Sequence, residues 1–226
     1  MSLGSAVTLA LVAIVPLVVL TLTSFVKLSV VLSLLRNAIG APDAPSGLVV
    51  TGLALVLTFF AMAPVAVDMV HAAAEAPAAP AAPVKPDKHS VDGALRVLVP
   101  ADYAPQLEAA ERGVQPLRAF LLNHASPKDR ETFVALAKRI GRDVKGDELW
   151  VVAPAFVASE LRAAFAMAIL IFIPFLVIDL VVALGLAAAG LATTSPQTVA
   201  LPLKLLLFVA VDGWRLLLDA LLRGYA

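Results

Sequence analysis

The sequence predicts an all-α, membrane-type protein of about four long apolar helices in two hairpins, with a small polar helical subdomain inserted in the middle. Three observations carry that prediction. Of 226 residues, 61% are apolar and 15% charged, with a mean hydropathy of +0.93, whereas soluble domains run nearer half apolar and a quarter charged. Apolar segments recur at spanning length on both flanks of the chain. Charge is confined to the centre: residues 85–150 hold 21 of the 34 acidic and basic side chains, so this stretch alone reads as water-facing.

Crossing a hydrocarbon core of about 30 Å takes roughly 20 helical residues. Four segments come close to that length. The first, Ala6 to Leu35, is broken only by Lys27, and the second, Leu48 to Val67, carries no charge. The third, Ala163 to Ala189, has Asp179 as its one ionisable group, and the fourth, Val199 to Leu222, contains Lys204, Asp212, Arg215 and Asp219. Asn37 to Pro45 separates the first two and Gly190 to Pro196 the last two, each rich in helix-ending residues, which makes each pair a hairpin.

Ala72 to Pro83 is eight alanines, three prolines and one glutamate, a composition that predicts an extended linker. Ser126-Pro127-Lys-Asp129 then supplies an N-cap, a proline at the first helical position and an early acid. Phe133, Leu136, Ala137 and Ile140 follow at helical spacing, and Leu117, Phe120, Leu121 and His124 mark a partner helix before them. The expected domains are 1–71, an N-terminal hairpin; 72–90, the linker; 91–150, the polar subdomain; and 151–226, a C-terminal hairpin. The amino terminus has neither the basic n-region nor the small-residue cleavage site of a secretory signal, so it is expected to be retained. Arg36, in the first turn, places that turn weakly on the cytoplasmic side.

The absence of cysteine removes disulfides, thiolate metal sites and a cysteine nucleophile. Equal numbers of acidic and basic groups give no field for nucleic acid. No phosphate-binding, zinc-protease, nucleophile-elbow or dinucleotide motif occurs, and His71, His89 and His124 lack metal-ligand spacing. The chain therefore reads as a non-enzyme, with no catalytic residue, no cofactor and no metal. Its informative residues are ionisable groups in apolar segments, which cost roughly 2.5 to 3.5 kcal/mol each on insertion scales and usually face an interior. Asp179 follows Pro174, which is expected to bend its helix. Two roles stay open for Asp179: an ion pair with Lys27 or Lys204, or a proton or ion relay. Asp212, Arg215 and Asp219 are spaced to share one helical face and to pair with each other. Ala183 with Ala187, and Gly185 with Ala189, space small side chains for close helix contact.

Three long strings go further. They run from Thr23-Ser-Phe25-Val-Lys27 to Arg36-Asn37-Ala-Ile-Gly40, from Pro154-Ala-Phe156-Val-Ala-Ser-Glu160 through Ile171-Phe-Ile-Pro174-Phe-Leu-Val-Ile-Asp179, and from Leu201-Pro-Leu-Lys204 to Phe208-Val-Ala-Val-Asp212-Gly-Trp214. Together they resemble the FliP/SctR family, the export-apparatus core protein of bacterial type III secretion in flagella and injectisomes. The resemblance runs from about residue 5 to the end and is weakest across 72–115. It implies five copies of this chain, joined by two smaller subunits of related architecture, in a helical cone around an export path. It implies hairpins held largely by neighbouring subunits, an inner-membrane location projecting to the periplasmic side, contact with lipid and with the export gate and switch membrane proteins, and secreted proteins as cargo. Lys27, Asp179, Lys204 and Asp212 become candidate assembly charges. Many members carry three methionines between the last two helices as a pore gasket; here Leu191, Ala192 and Thr193 stand on those positions, and Leu-Ala-Thr offers less flexible reach and a hydroxyl. The leading expectation is a pore-forming subunit of the export gate. A transporter or proton channel centred on Asp179, and a membrane scaffold without a conduit, are the alternatives.

Overall fold

Leucine, alanine and valine runs without internal turn signals have one way to satisfy their backbone in an apolar setting, which is to form helices. The computed structural model describes residues 13, 18, 20–41, 45–75, 104–142, 144–191 and 193–225. Among these the regular elements are all helices: α1 (Phe25–Ile39), α2 (Gly47–Ala74), α3 (Ala104–His124), α4 (Pro127–Arg139), α5 (Leu149–Ala188), α6 (Pro196–Ala210) and α7 (Gly213–Arg223). The early part of the first apolar segment, linker residues 76–90 and the start of the polar subdomain lie outside the described residues. The chain divides into two compact units, Met1–Met62 with Ala125–Ala226, and Ala63–His124.

In the larger unit α1 presents Leu28, Val31, Leu32 and Leu35, spaced i, i+3, i+4 and i+7, as one buried stripe. The same core takes Val50, Ala54 and Leu57 from α2, Ala164 and Phe175 from α5, Phe208 from α6, and Leu217 and Leu221 from α7. α1 lies chiefly along α5, which also carries α4 and α6. In the smaller unit Gly113 of α3 comes against Met69 and Ala73 near the end of α2. α2 continues through Ala72–Ala74, the start of the expected linker, because alanine is the best helix former and the first proline waits until Pro77.

Among the described residues two helices, α2 and α5, are long and apolar enough to cross a membrane by length and composition. At 1.5 Å per residue the 40 residues of α5 span about 60 Å, twice a hydrocarbon core. Apart from Leu149 at its start, its large exposed apolar side chains run from Phe165 to Leu184, while Leu149 to Arg162 is the part that carries α4. The helix is continuous through Pro154 and Pro174. Among the described residues nothing lies within 4 Å of where a Cβ on Gly185 would stand, so the small residues expected to admit a close neighbour meet none there at that position.

The fourth apolar segment is not one helix. It breaks at Asp212, whose φ of 51° and ψ of 50° are left-handed, leaving α6 and α7 as separate pieces. A Cβ on Gly213 would overlap the Phe208 ring, so only glycine lets that ring close on the backbone. Trp214 meets Phe208 edge-on at 5.5 Å between ring centroids, and Phe175 lies 6.4 Å away on the α5 side. Gly213→Ala is therefore expected to lower stability by about 1–3 kcal/mol through overpacking, read as a fall in unfolding midpoint; an unchanged midpoint would mean the ring is free to move aside.

α4 also departs from its expected packing. Phe133 and Ala137 do face inward, with Val134, Val144, Trp150 and Val151, but Leu136 and Ile140 are exposed. Ser126 makes no side-chain cap; instead its N–H donates to Ser159 Oγ at 2.8 Å.

Candidate functional site

Three of the charges placed in apolar segments, Lys27, Asp179 and Lys204, gather at two ties along α1. Near its start, Lys27 Nζ lies 3.4 Å from each oxygen of Glu160 on α5, with both side chains about 95% buried. The spacing is longer than a short charge-assisted hydrogen bond, so the attraction is mainly that of an ion pair in a low-dielectric setting. The Tyr225 ring covers the ammonium, its centroid 3.9 Å from Nζ, and the Tyr225 hydroxyl donates to Glu160 Oε2. Burial first, and then the negative charge of Glu160, push the Tyr225 phenol well above its ordinary value, so it stays a donor.

At the other end of α1, Lys204 of α6 lies 2.7 Å from Asp179 Oδ2 on α5 and donates to the Ala38 carbonyl at 3.1 Å. That carbonyl belongs to the last turn of α1, where the backbone leaves unpaired acceptors and partial negative charge. Gly40, left-handed at φ 87°, ends the helix there, with its Cβ position 3.7 Å from Nζ. One ammonium thus joins α1, α5 and α6. Asp179 is the half-open member of the pair, its side chain 37% exposed against 8% for Lys204.

Of the two partners expected for Asp179, the structure places Lys204 beside it and gives Lys27 to Glu160. Asp212, expected among the buried charges, is exposed on this chain and acts through its backbone at the helix break. It shares no helix with Arg215 and Asp219, and Asp219 pairs with Arg223 at 2.8 Å, not with Arg215. A further polar joint went unread in the sequence: buried Asp129 accepts from Ser159 Oγ at 2.7 Å and from Arg162 at 2.6 Å, fixing α4 to α5.

The turn between α5 and α6 is set by backbone alone. Gly190 at φ 73° follows the last helical residues, its N–H donating to Ala187 O at 3.1 Å, and the Leu191 N–H donates to Leu186 O at 2.9 Å. Those two bonds form a Schellman motif. Thr194 N–H then donates to Leu191 O at 3.0 Å, and Ser195 with Pro196 starts α6. Leu191 is 50% exposed and Thr193 is exposed beside it. Ala192 lies outside the described residues.

Among the described residues no three His, Cys, Asp or Glu side chains gather as a metal site. The buried charges Lys27, Asp129, Glu160 and Lys204 each meet an opposite charge, with hydroxyl or backbone partners beside Asp129, Glu160 and Lys204, an arrangement that holds helices together.

The profile of the FliP family matches residues 8–221, nearly the whole chain. The chain belongs to the FliP family. It is 42% identical over 215 residues to the flagellar biosynthetic protein FliP of Pectobacterium carotovorum subsp. carotovorum, covering 93% of this chain and 73% of that relative. It is 38% identical over 224 residues to the pathogenicity-related ORF2 of Xanthomonas campestris pv. glycines, covering 97% and 94%. To the hypersensitivity response secretion protein HrcR of Ralstonia nicotianae it is 35% identical over 219 residues, covering 95% and 93%. This FliP-family chain is thus similar both to a flagellar biosynthetic protein and to a hypersensitivity response secretion protein. The Glu160 tie, quoted within one of the family-like strings, had no role assigned from sequence; an acid at the border between polar and apolar stretches, 133 residues from Lys27, gives no local sign of its partner.

Proposed function

We propose that this chain is a pore-forming structural subunit of the type III secretion export apparatus in the bacterial inner membrane. In this reading several copies, roughly five, join two smaller subunits of related architecture around a conduit for unfolded secreted proteins, next to the export gate and switch membrane proteins. The four apolar segments act as two hairpins, projecting to the periplasmic side, and the Leu191-Ala192-Thr193 turn lines the constriction. The observation that carries the reading is the family match across 8–221, which takes in both membrane-length helices and both ionic ties. Exposed apolar side chains on α2, α5 and α6, among them Phe59, Phe60, Leu170 and Val209, supply surface for lipid or neighbouring subunits. The pairing of Asp179 with Lys204 favours a structural role for that acid over a relay.

The test is conductance of the assembled complex. Leu191 is the one bulky apolar side chain between Gly190 and Pro196, so a ring of its copies closes the path by dewetting. Leu191→Gly should raise ion leakage while the oligomer stays intact, and Leu191-Ala192-Thr193 replaced by three methionines should hold or tighten the seal. An unaltered conductance for Leu191→Gly removes this turn from the constriction.

A further inference from the structure

We infer that α7 is a strap, hinged at Asp212–Gly213 and clasped by Tyr225 over the Lys27–Glu160 pair. The inference stands on the geometry of the single chain and does not depend on the pore reading. At the hinge, Asp212 holds a left-handed conformation that non-glycine residues adopt at a cost, a backbone state that persists when its surroundings favour it. Beyond the hinge, α7 buries Gly213, Leu217 and Leu221, packs Leu218 and Leu222 partly against the same core, sets Trp214 against Phe208, and leaves Arg215, Leu216, Asp219 and Arg223 outside. A helix of 11 residues is too short to persist alone, so it stays only where it is held. Its far end is where the polar hold lies.

There a single side chain makes two contacts of different kinds. The Tyr225 ring faces the Lys27 ammonium and its hydroxyl donates to Glu160, so one residue closes both halves of the ion pair. Gly224 lets the turn approach: a Cβ at that position would stand 3.1 Å from Lys27 Nζ. With Tyr225 seated, the pair is shut from water. With Tyr225 withdrawn, water reaches both charges, their separate hydration becomes favourable, and the strap is left with its apolar contacts. Opening is therefore local to α7, while Lys204, the Asp129 joint and the α1–α5 contact remain closed.

The chain has no cysteine, so single cysteines introduced into the full-length protein in detergent report opening cleanly. Leu221→Cys sits on the buried face of α7 and Val152→Cys on α5; both parent side chains are fully buried. Adding Tyr225→Ala should raise maleimide labelling at position 221 about ten- to a hundredfold, the loss of a charge-assisted hydrogen bond and a covered cation, with labelling at 152 unchanged. Tyr225→Phe, which keeps the ring and loses the hydroxyl, should fall between, and Gly224→Ala should shift in the same direction. Amide exchange on the otherwise unmodified chain should rise over 213–225 alone. Equal rises at 221 and 152, or across all helices, would overturn the strap in favour of general loosening; no rise at 221 with Tyr225→Ala would show that α7 is held without the clasp.

Discussion

Glu160→Ala is expected to be among the most damaging single substitutions in the chain, costing about 3–5 kcal/mol, the usual penalty for leaving one member of a buried pair behind. Lys27 would be left at about 5% side-chain exposure without the carboxylate that faces it, and the Tyr225 hydroxyl would lose Glu160 as an acceptor in the same step. The cost comes from the orphaned groups more than from the pair itself. It follows that Lys27→Met, Glu160→Leu and Tyr225→Phe together should recover most of the loss, because apolar residues of similar volume ask for no partner. Denaturant unfolding of the purified chain measures both. A Glu160→Ala protein as stable as the parent would mean that water enters the site and that the pair is not dry.

Lys204→Met is expected to follow closely, at about 2–4 kcal/mol, because one ammonium serves two acceptors. Its loss leaves the Ala38 carbonyl without its side-chain donor at the end of α1 and Asp179 without its cation. Asp179→Asn should cost less, since that side chain is 37% exposed and water screens it. The exchange Lys204→Asp with Asp179→Lys separates the two contributions. Reversed charges can attract again, but a carboxylate at 204 cannot donate to Ala38, so rescue should be partial. The yield of assembled complex after detergent extraction, with the unfolding midpoint alongside, reads the outcome. Full rescue would show that the carbonyl contact carries no weight, and no rescue would show that the ion pair carries none.

Much of the helical character was legible because it is local. Uninterrupted apolar length located α2 and the exposed stretch of α5, and Gly40, Gly190 and Pro196 stand where helices stop or start. The rest was hidden for physical reasons. The break at Asp212 has no proline to announce it; it depends on a left-handed aspartate and on the Phe208 ring lying against Gly213, both set by tertiary packing. The third apolar segment begins only at Ala163 because Glu160 and Arg162 interrupt the apolar run inside α5, which starts at Leu149, close to the expected domain boundary at 151. Lys27, Asp179 and Lys204 declared themselves as charges out of place, whereas Glu160 and Tyr225 did not, the one at the edge of a polar stretch and the other beside the chain's last residue. Sequence position identifies an unusual charge; only the fold assigns its counterion.

The Schellman turn after α5 has a wider consequence. Its shape is dictated by Gly190 and by main-chain bonds to Ala187 and Leu186, none of which asks anything of the side chain at 191. The chemistry displayed at the tip is thereby uncoupled from the architecture that displays it. Size, polarity or reactivity can be exchanged there as a fitting is exchanged in a fixed socket, without renegotiating the fold. An engineer seeking to retune what the tip admits, or to place a label or a photoreactive group there, has in position 191 a half-exposed site whose bond in the turn comes from its own N–H, which any residue but proline supplies.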